Sequence, residues 1–331
     1  MPKALGMKIA GTGRFIPERV LTNQYFEQRL DTSDKWIRER TGIVERRAAA
    51  ENESTATLAA AAAKLAVADA GISADDLDMI LLATTTPEAL LPSTACCVQR
   101  AICNRPVPAL DLNAACSGYV YALLTATFML QTGHYRNILV IGAETMTRIV
   151  DPEDRSTCIL FGDGAGAAVL SATPNADGPA VLHFQLDAEG SGENALFVPA
   201  GGSRLPTSRM TVEERLHYVK MAGREVYKIA VKRNLQLVDS TLAEAGVHPD
   251  DIALVIPHQS NLRIIESVRH RLGLPEDRVF VNIQRCGNTS AASIPMGLDE
   301  CRKSGRIKAG DLVLLIAFGA GFTWGSALLK L

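Results

Sequence analysis

Three side chains stand where an apolar, strand-like run gives way to a helix: Cys116 in DLNAACSGYVYAL, His258 in LVIPHQSNLRII and Asn288 in RCGNTSAAS. A thiol at a helix start meets partial positive charge and free N–H groups. Such positions can lower a thiol pKa from about 8.5 into the range of roughly 3.5 to 7.5. The thiolate would then attack a carbonyl and carry a covalent intermediate. Each residue also has a plain structural use: cysteine as a small buried apolar group, histidine as an ordinary strand-end residue, asparagine as an N-cap. Strand ends are where α/β sheets put ligands and catalytic groups, so the three together point to a shared site. His134, His217, His248 and His270 fall in turns or on polar helix faces, and His183 lies within a strand-like run.

The elements that would bring these residues together are written twice. ADAGISADDLDMILLA from Ala68 matches AEAGVHPDDIALVIPH from Ala243, an offset of 243 − 68 = 175. In each copy a second apolar run enters a small-residue helix and a third strand follows. The first copy reads MILLAT, VPALDL into CSGYVYALLTATFML, then NILVIGAE; the second reads ALVIPH, RVFVNI into NTSAASIPMGLDECRK, then DLVLLIAFGAG. Nearly continuous apolar strands alternating with helices predict mainly parallel sheets covered on both faces. Ser117 to about Thr132 reads as a buried central helix, apolar or small all round, and the small residues of NTSAAS let a second helix approach it. The expectation is a five-layer α/β/α/β/α sandwich of two duplicated halves, 1–175 and 176–331, joined near residues 171–179. A pseudo-twofold axis between the halves would turn Cys116 toward His258 and Asn288.

Composition narrows the function classes. With 34 basic against 36 acidic side chains and no basic tail, nothing favours nucleic acid. The one long uncharged run, Leu112 to Tyr135, is broken by Asn113, Ser117, Gly118 and Gln131, so no membrane span is expected. Seven cysteines without paired metal spacing, and no apolar leader, fit a cytoplasmic protein. Gly162 to Gly166, GDGAG, is followed by strand-like AAVL rather than a helix. It reads as a tight turn beside the site and not as a phosphate cradle.

The motifs resemble the β-ketoacyl-acyl-carrier-protein synthase III family of the thiolase superfamily. The resemblance runs through GTGRFIPERVLTN, DTSDKWIRERTGI, NAACSGY, DRSTCILFGDGAGAAVL, PHQSNLRII, GNTSAAS and FGAGFTWGSALL, essentially the whole chain. It implies a Cys116–His258–Asn288 triad and a decarboxylating Claisen condensation of an acyl-CoA primer with malonyl carrier protein, which initiates fatty acid biosynthesis. No metal or other cofactor is implied, coenzyme A entering as a thioester substrate. His258 Nε2–H and the Asn288 amide would face the condensation oxyanion, and the backbone N–H groups of Cys116 and Ala320 would face the acyl-transfer oxyanion. One such donor is worth about 3–4 kcal/mol of barrier. The resemblance further implies coenzyme A contacts at Thr32, Trp36, Arg40, Arg155 and Asn261, Trp36 and Arg155 sandwiching the adenine. It implies a primer pocket with Leu91 and Phe318, Leu91 reaching it across a homodimer interface. Lys228 and Arg263, with the run Arg269 to Arg271, are candidates for docking an acidic carrier protein. Two other readings keep the same residues: a secondary-metabolism synthase with another acceptor, and a non-catalytic homologue that binds coenzyme A or a carrier protein. A papain-like protease shares the order Cys, His, Asn but lacks its local signature and would not explain the repeat.

Overall fold

The computed structural model describes residues 5–173 and 178–331; the expected join of the halves at 175/176 lies outside them. Nine strands form the main sheet: β1 Leu5–Phe15, β2 Met79–Ala83, β3 Ala109–Leu112, β4 Asn137–Thr145, β5 Asp163–Ala172, β6 Ala180–Ala188, β7 Ile252–Pro257, β8 Leu312–Gly319 and β9 Thr323–Lys330. Their order is β7-β8-β9-β6-β1-β5-β4-β2-β3. The two halves of this sheet join through Leu5 and Gly6 of β1 paired with Val181 and Ala180 of β6.

The expectation of mainly parallel sheets is not met. Among the described residues, parallel pairing within the sheet is confined to β2 with β3 and β4, and to β7 with β8. β5 runs antiparallel to both β1 and β4, and β9 antiparallel to both β8 and β6. Each half therefore carries an antiparallel flank beside its parallel strands, which continuous apolar runs do not reveal. RVFVNI is not a strand either: Val279 makes one isolated bridge to Val255, and Phe280 N–H donates to Val255 O at 2.8 Å. Buried Gln259 takes over there. Its Oε1 accepts from Asn282 N and Ile283 N, and its Nε2 donates to Pro257 O and Phe280 O.

The repeat holds at one offset through the elements. The turn Ala74–Asp76 returns as Pro249–Asp251, the 3-10 turn Ala115–Ser117 as Ser290–Ala292, and the start of β4 at Asn137 as that of β8 at Leu312. Each pair of first residues differs by 175, as 249 − 74, 290 − 115 and 312 − 137. The helices after the two 3-10 turns, Gly118–Gln131 and Ser293–Lys303, form the middle of five layers. Outside them lie the two halves of the sheet. Helices Thr55–Asp69 and Thr94–Ile102 cover one half, and Gly223–Ala245 and Leu262–Leu272 cover the other. Helix Gly118–Gln131 is apolar on every side, as expected. Its buried Thr127 returns its hydroxyl to Leu123 O at 2.8 Å, whereas the equally buried Tyr119 hydroxyl has no partner among the described residues.

GDGAG is not a turn, because β5 begins within it at Asp163. Its glycines serve close packing. A Cβ on Gly166 would lie 2.4 Å from Met296 N, and one on Gly142 in β4 would lie 2.3 Å from Ala291 O. Hydrogen at these positions lets the second central helix rest on the sheet backbone. Gly166→Ala is expected to destabilise by about 1–3 kcal/mol through overpacking, read as a lowered denaturant midpoint. Gly190→Ala, where a Cβ meets nothing within 4 Å, should leave that midpoint in place.

Candidate active site

Cys116 occupies the middle of the 3-10 turn Ala115–Ser117, directly before the first central helix. Ala115 holds a left-handed φ of 47°, and its counterpart Ser290 one of 46°. These matched turns bring the two central helix starts together. His258 follows the last residue of β7, and Asn288 precedes the second 3-10 turn. Cys116, His258 and Asn288 line one chamber of about 110 Å³, together with Asn261 and Phe318. Cys116 also lines a second cavity of about 490 Å³, with Thr85, Met146, Ile149, Phe161 and Ala320 among its walls. The sulfur thus stands between a small chamber that holds His258 and Asn288 and a larger one, both with mainly apolar walls.

Hydrogen bonds orient the polar partners. Asn288 Oδ1 accepts from Ser290 N at 2.9 Å, which leaves the amide NH₂ to donate. Its counterpart Asn113 makes the same bond to Ala115 N at 3.1 Å. His258 Nδ1 lies 2.7 Å from Ser293 Oγ, while its buried Nε2 has no hydrogen-bond partner among the described residues. Burial pulls the His258 pKa down to about 3, so the ring is neutral.

The thiol departs from expectation. Burial pushes Cys116 up to about 11, a hydrogen bond with the Ser290 side chain opposes this, and the nearby charge of Glu144 adds to it. The desolvation of a 3-10 turn between dry walls outweighs the field of the helix start, so the resting group is the thiol.

Glu144, which the sequence reading missed, is fully buried at the end of β4. It accepts from Thr84 Oγ1, from the backbone N–H groups of Thr85 and Thr86, from Thr86 Oγ1 at 2.7 Å, and from Ala291 N at 3.4 Å. Burial raises its pKa against these bonds. The repeat offers the signal that could have found its role. Ala291 is the counterpart of Cys116 (291 − 116 = 175) and Gly319 that of Glu144 (319 − 144 = 175). In one half a carboxylate takes the N–H of the helix start. In the other, Gly319 puts no side chain there, and a Cβ would sit 2.7 Å from Cys116 N. Ala320 lies beside it and is not among the residues of positive φ, so alanine is accommodated in this loop.

Of the remaining residues, Thr32, Trp36, Arg40 and Arg155 line neither of these cavities. Trp36 lies on helix Asp34–Thr41, with Arg155 Cζ 5.0 Å and Arg40 Cζ 6.0 Å from its ring centroid. Arg155 also pairs with Asp31 at 3.7 Å. Asn261 caps helix Leu262–Leu272 through Arg263 N and donates to Arg40 O at 3.0 Å. Thr32 keeps a buried hydroxyl oxygen without a partner. Arg263, Lys228 and Arg271 are exposed; Arg263 donates to Glu39 O at 2.7 Å, and Arg269 and Arg271 pair with Glu266 and Asp239. Phe318 sits in the His258 chamber, 5.1 Å from the Phe322 ring. Leu91 is 84% exposed and is not brought to either cavity of its own chain. Among the described residues, no group of three or more His, Cys, Asp or Glu side chains is set to hold a metal ion.

A protonated resting thiol has a direct readout. Alkylation of Cys116 by iodoacetamide, followed by peptide mass spectrometry, should speed up by about tenfold per pH unit between pH 7 and 9, as the thiolate fraction grows. A rate already level at pH 7 would contradict a raised pKa.

Two family models match the chain: 3-oxoacyl-[acyl-carrier-protein] synthase III over residues 110–190, and the C-terminal part of the same synthase over residues 242–331. β-Ketoacyl-[acyl-carrier-protein] synthase III of Caldanaerobacter subterraneus subsp. tengcongensis is 48% identical over 330 residues, covering 100% of this chain and 99% of that one. The protein of the same name from Xanthomonas campestris pv. campestris is also 48% identical over 330 residues, covering 100% of both. The crystal structure of 3-oxoacyl-[acyl-carrier-protein] synthase III from Aquifex aeolicus superposes with a TM-score of 0.90 at 47% identity, covering 98% of this chain and 100% of that one. With a thiol, an imidazole and an amide at the meeting point of two duplicated halves, the chain belongs to the β-ketoacyl-acyl-carrier-protein synthase III family.

Proposed function

We propose that this acyltransferase primes fatty acid synthesis by condensing an acyl-CoA with malonyl-acyl carrier protein through an acyl group on Cys116. The observation that carries the reading is the position of the sulfur between two cavities, with His258 and Asn288 on one side and apolar room on the other. In the first half-reaction the Cys116 sulfur attacks the thioester carbonyl, the C–S bond to coenzyme A breaks, and coenzyme A leaves as its thiol with the proton Cys116 gave up. The acyl chain then occupies the larger cavity, and backbone N–H groups at Cys116 and Ala320 hold the oxyanion. In the second half-reaction the malonyl group loses carbon dioxide, and the electron pair of the broken C–C bond becomes an enolate. Its carbon forms a bond to the acyl carbonyl and expels the Cys116 thiolate. His258 and the Asn288 amide stabilise the enolate oxygen by hydrogen bonds. Histidine is needed as a neutral donor and not as a base, which fits a ring whose burial keeps it uncharged.

The entry path is the line Thr32, Trp36, Arg40, Arg155 and Asn261, which suits a nucleotide and its pantetheine arm. Exposed Arg263 and Lys228 flank it and suit an acidic carrier protein. The division into halves at 175/176 and a cytoplasmic location belong to the same reading. No helix among the described residues is long and apolar enough to cross a membrane. A homodimer is supported by the free edge of the sheet at β3. Leu110 there is 42% exposed, and Leu90 and Leu91 nearby are 85% and 84% exposed. Pairing of this edge between two copies would cover the apolar loop and bring the partner copy to the primer cavity. Light scattering should then give twice the chain mass of 35.5 kDa, and a monomer would contradict the assembly.

The half-reactions separate the roles. Cys116→Ala should abolish acylation. His258→Ala and Asn288→Ala should still form the acyl-enzyme while condensation falls by about 10²-fold or more, read as product from malonyl carrier protein. Equal loss of both steps in all three variants would contradict the division of labour. The larger cavity, about 490 Å³, lies in the usual range for ligand pockets of about 300–1,000 Å³ and exceeds the needs of a two-carbon group. In a panel of acyl-CoAs, primers longer than acetyl should acylate Cys116 at least as fast as acetyl. A strong preference for acetyl would overturn that specificity.

A further inference from the structure

The His258 imidazole is neutral, so it has one N–H to place on Nδ1 or Nε2. That choice decides whether the chamber beside Cys116 receives a hydrogen-bond donor or a lone pair. His258 is only 5% exposed, and its Nε2 makes no hydrogen bond among the described residues. Its Nδ1 has one close partner, the hydroxyl of Ser293, at 2.7 Å. Ser293 is the first residue of the second central helix and is itself 1% exposed.

The Ser293 hydroxyl has one hydrogen and two acceptors within reach: His258 Nδ1 at 2.7 Å and Ser290 O at 3.0 Å. Ser290 O is already served by the backbone N–H of Ser293. Gln259 N–H approaches Ser293 Oγ at 3.4 Å and needs it as an acceptor. With the hydroxyl turned to Ser290 O, the Ser293 oxygen accepts twice and the carbonyl is doubly served. The chamber then faces a bare nitrogen lone pair beside the place where negative charge develops. With the hydroxyl turned to Nδ1, Gln259 N–H donates to Oγ, Oγ–H donates to Nδ1, and the ring hydrogen sits on Nε2 beside the Asn288 amide. Each group then has one role and two donors converge on one oxygen.

We infer that Ser293 is a positioning residue for the condensation step, donating its hydroxyl hydrogen to His258 Nδ1 and so keeping the proton on Nε2. The inference rests on the reading of His258 as the enolate donor. It assigns to Ser293 no contact with substrate. Its position is the counterpart of Gly118 in the other half (293 − 118 = 175), where no side chain stands. The half that carries His258 thus carries its orienting hydroxyl as well.

The test joins a spectrum to a kinetic split. In ¹⁵N spectra of histidine-labelled protein, with His258→Ala identifying the signal, the native ring should show the Nε2–H tautomer, and Ser293→Ala should shift the ring toward Nδ1–H. The same variant should lose condensation kcat by about tenfold or more, as removal of an orienting partner does elsewhere. Its KM for malonyl carrier protein should stay near native, with the loss concentrated in condensation rather than acylation. Acylation of Cys116 in the variant also shows that it is folded. A native Nδ1–H tautomer, or a Ser293→Ala enzyme that condenses at the native rate, would overturn the inference. If His258→Ala itself condenses normally, the donor reading fails first and Ser293 falls with it. If only Ser293→Ala condenses normally, the donor reading stands and this inference alone is lost.

Discussion

The site depends on how closely the two central helix starts approach each other and the sheet. A Cβ at Gly118 would meet Ala83 Cβ at 3.1 Å and Ala291 Cβ at 3.6 Å, and one at Gly142 would run into the Ala291 carbonyl. Interiors packed to crystal density do not yield such room elsewhere. Hydrogen or methyl side chains at these positions therefore set the spacing of the two 3-10 turns, and the turns set the distance between the thiol and the residues it works with. The left-handed φ at Ala115 and Ser290 belongs to the same geometry, since at both positions the backbone turns sharply into a central helix.

Two copies of one unit have divided the chemistry between them. Cys116 has the methyl side chain of Ala291 as its counterpart, and His258 that of Ala83 (258 − 83 = 175). Asn288 and Asn113 keep the same bond to the backbone two residues on, and of the two only Asn288 lines the chamber with His258. Glu144 closes the equivalent N–H in the copy without a nucleophile, while Gly319 leaves that place without a side chain in the copy that has one. Dryness then tunes both titrating partners toward neutrality, thiol upward and imidazole downward.

Much of this was legible in the sequence because it rests on local pattern. The repeat from Ala68 to Ala243, the uncharged run after Cys116 and the small residues of NTSAAS follow from side-chain size and periodicity, which neighbours do not alter. The antiparallel flanks were hidden, since an apolar run reads the same in either direction. RVFVNI was misread because a single buried glutamine, Gln259, replaces the ladder that its propensity favours. The thiol was misjudged for a related reason: a helix start is visible in sequence, while the extent of its desolvation is a property of the packed whole. Glu144 and Ser293 were invisible because their meaning comes from partners more than thirty residues away.

The central claim is that one sulfur, Cys116, carries the acyl group from its donor to its acceptor. Intact-mass and peptide mapping of the protein, first with an acyl-CoA and then with malonyl carrier protein, tests it most directly. The account predicts an acyl increment on the peptide that contains Cys116, lost on addition of malonyl carrier protein in step with 3-oxoacyl product. An increment on another residue, or product formed with Cys116 never acylated, would contradict it.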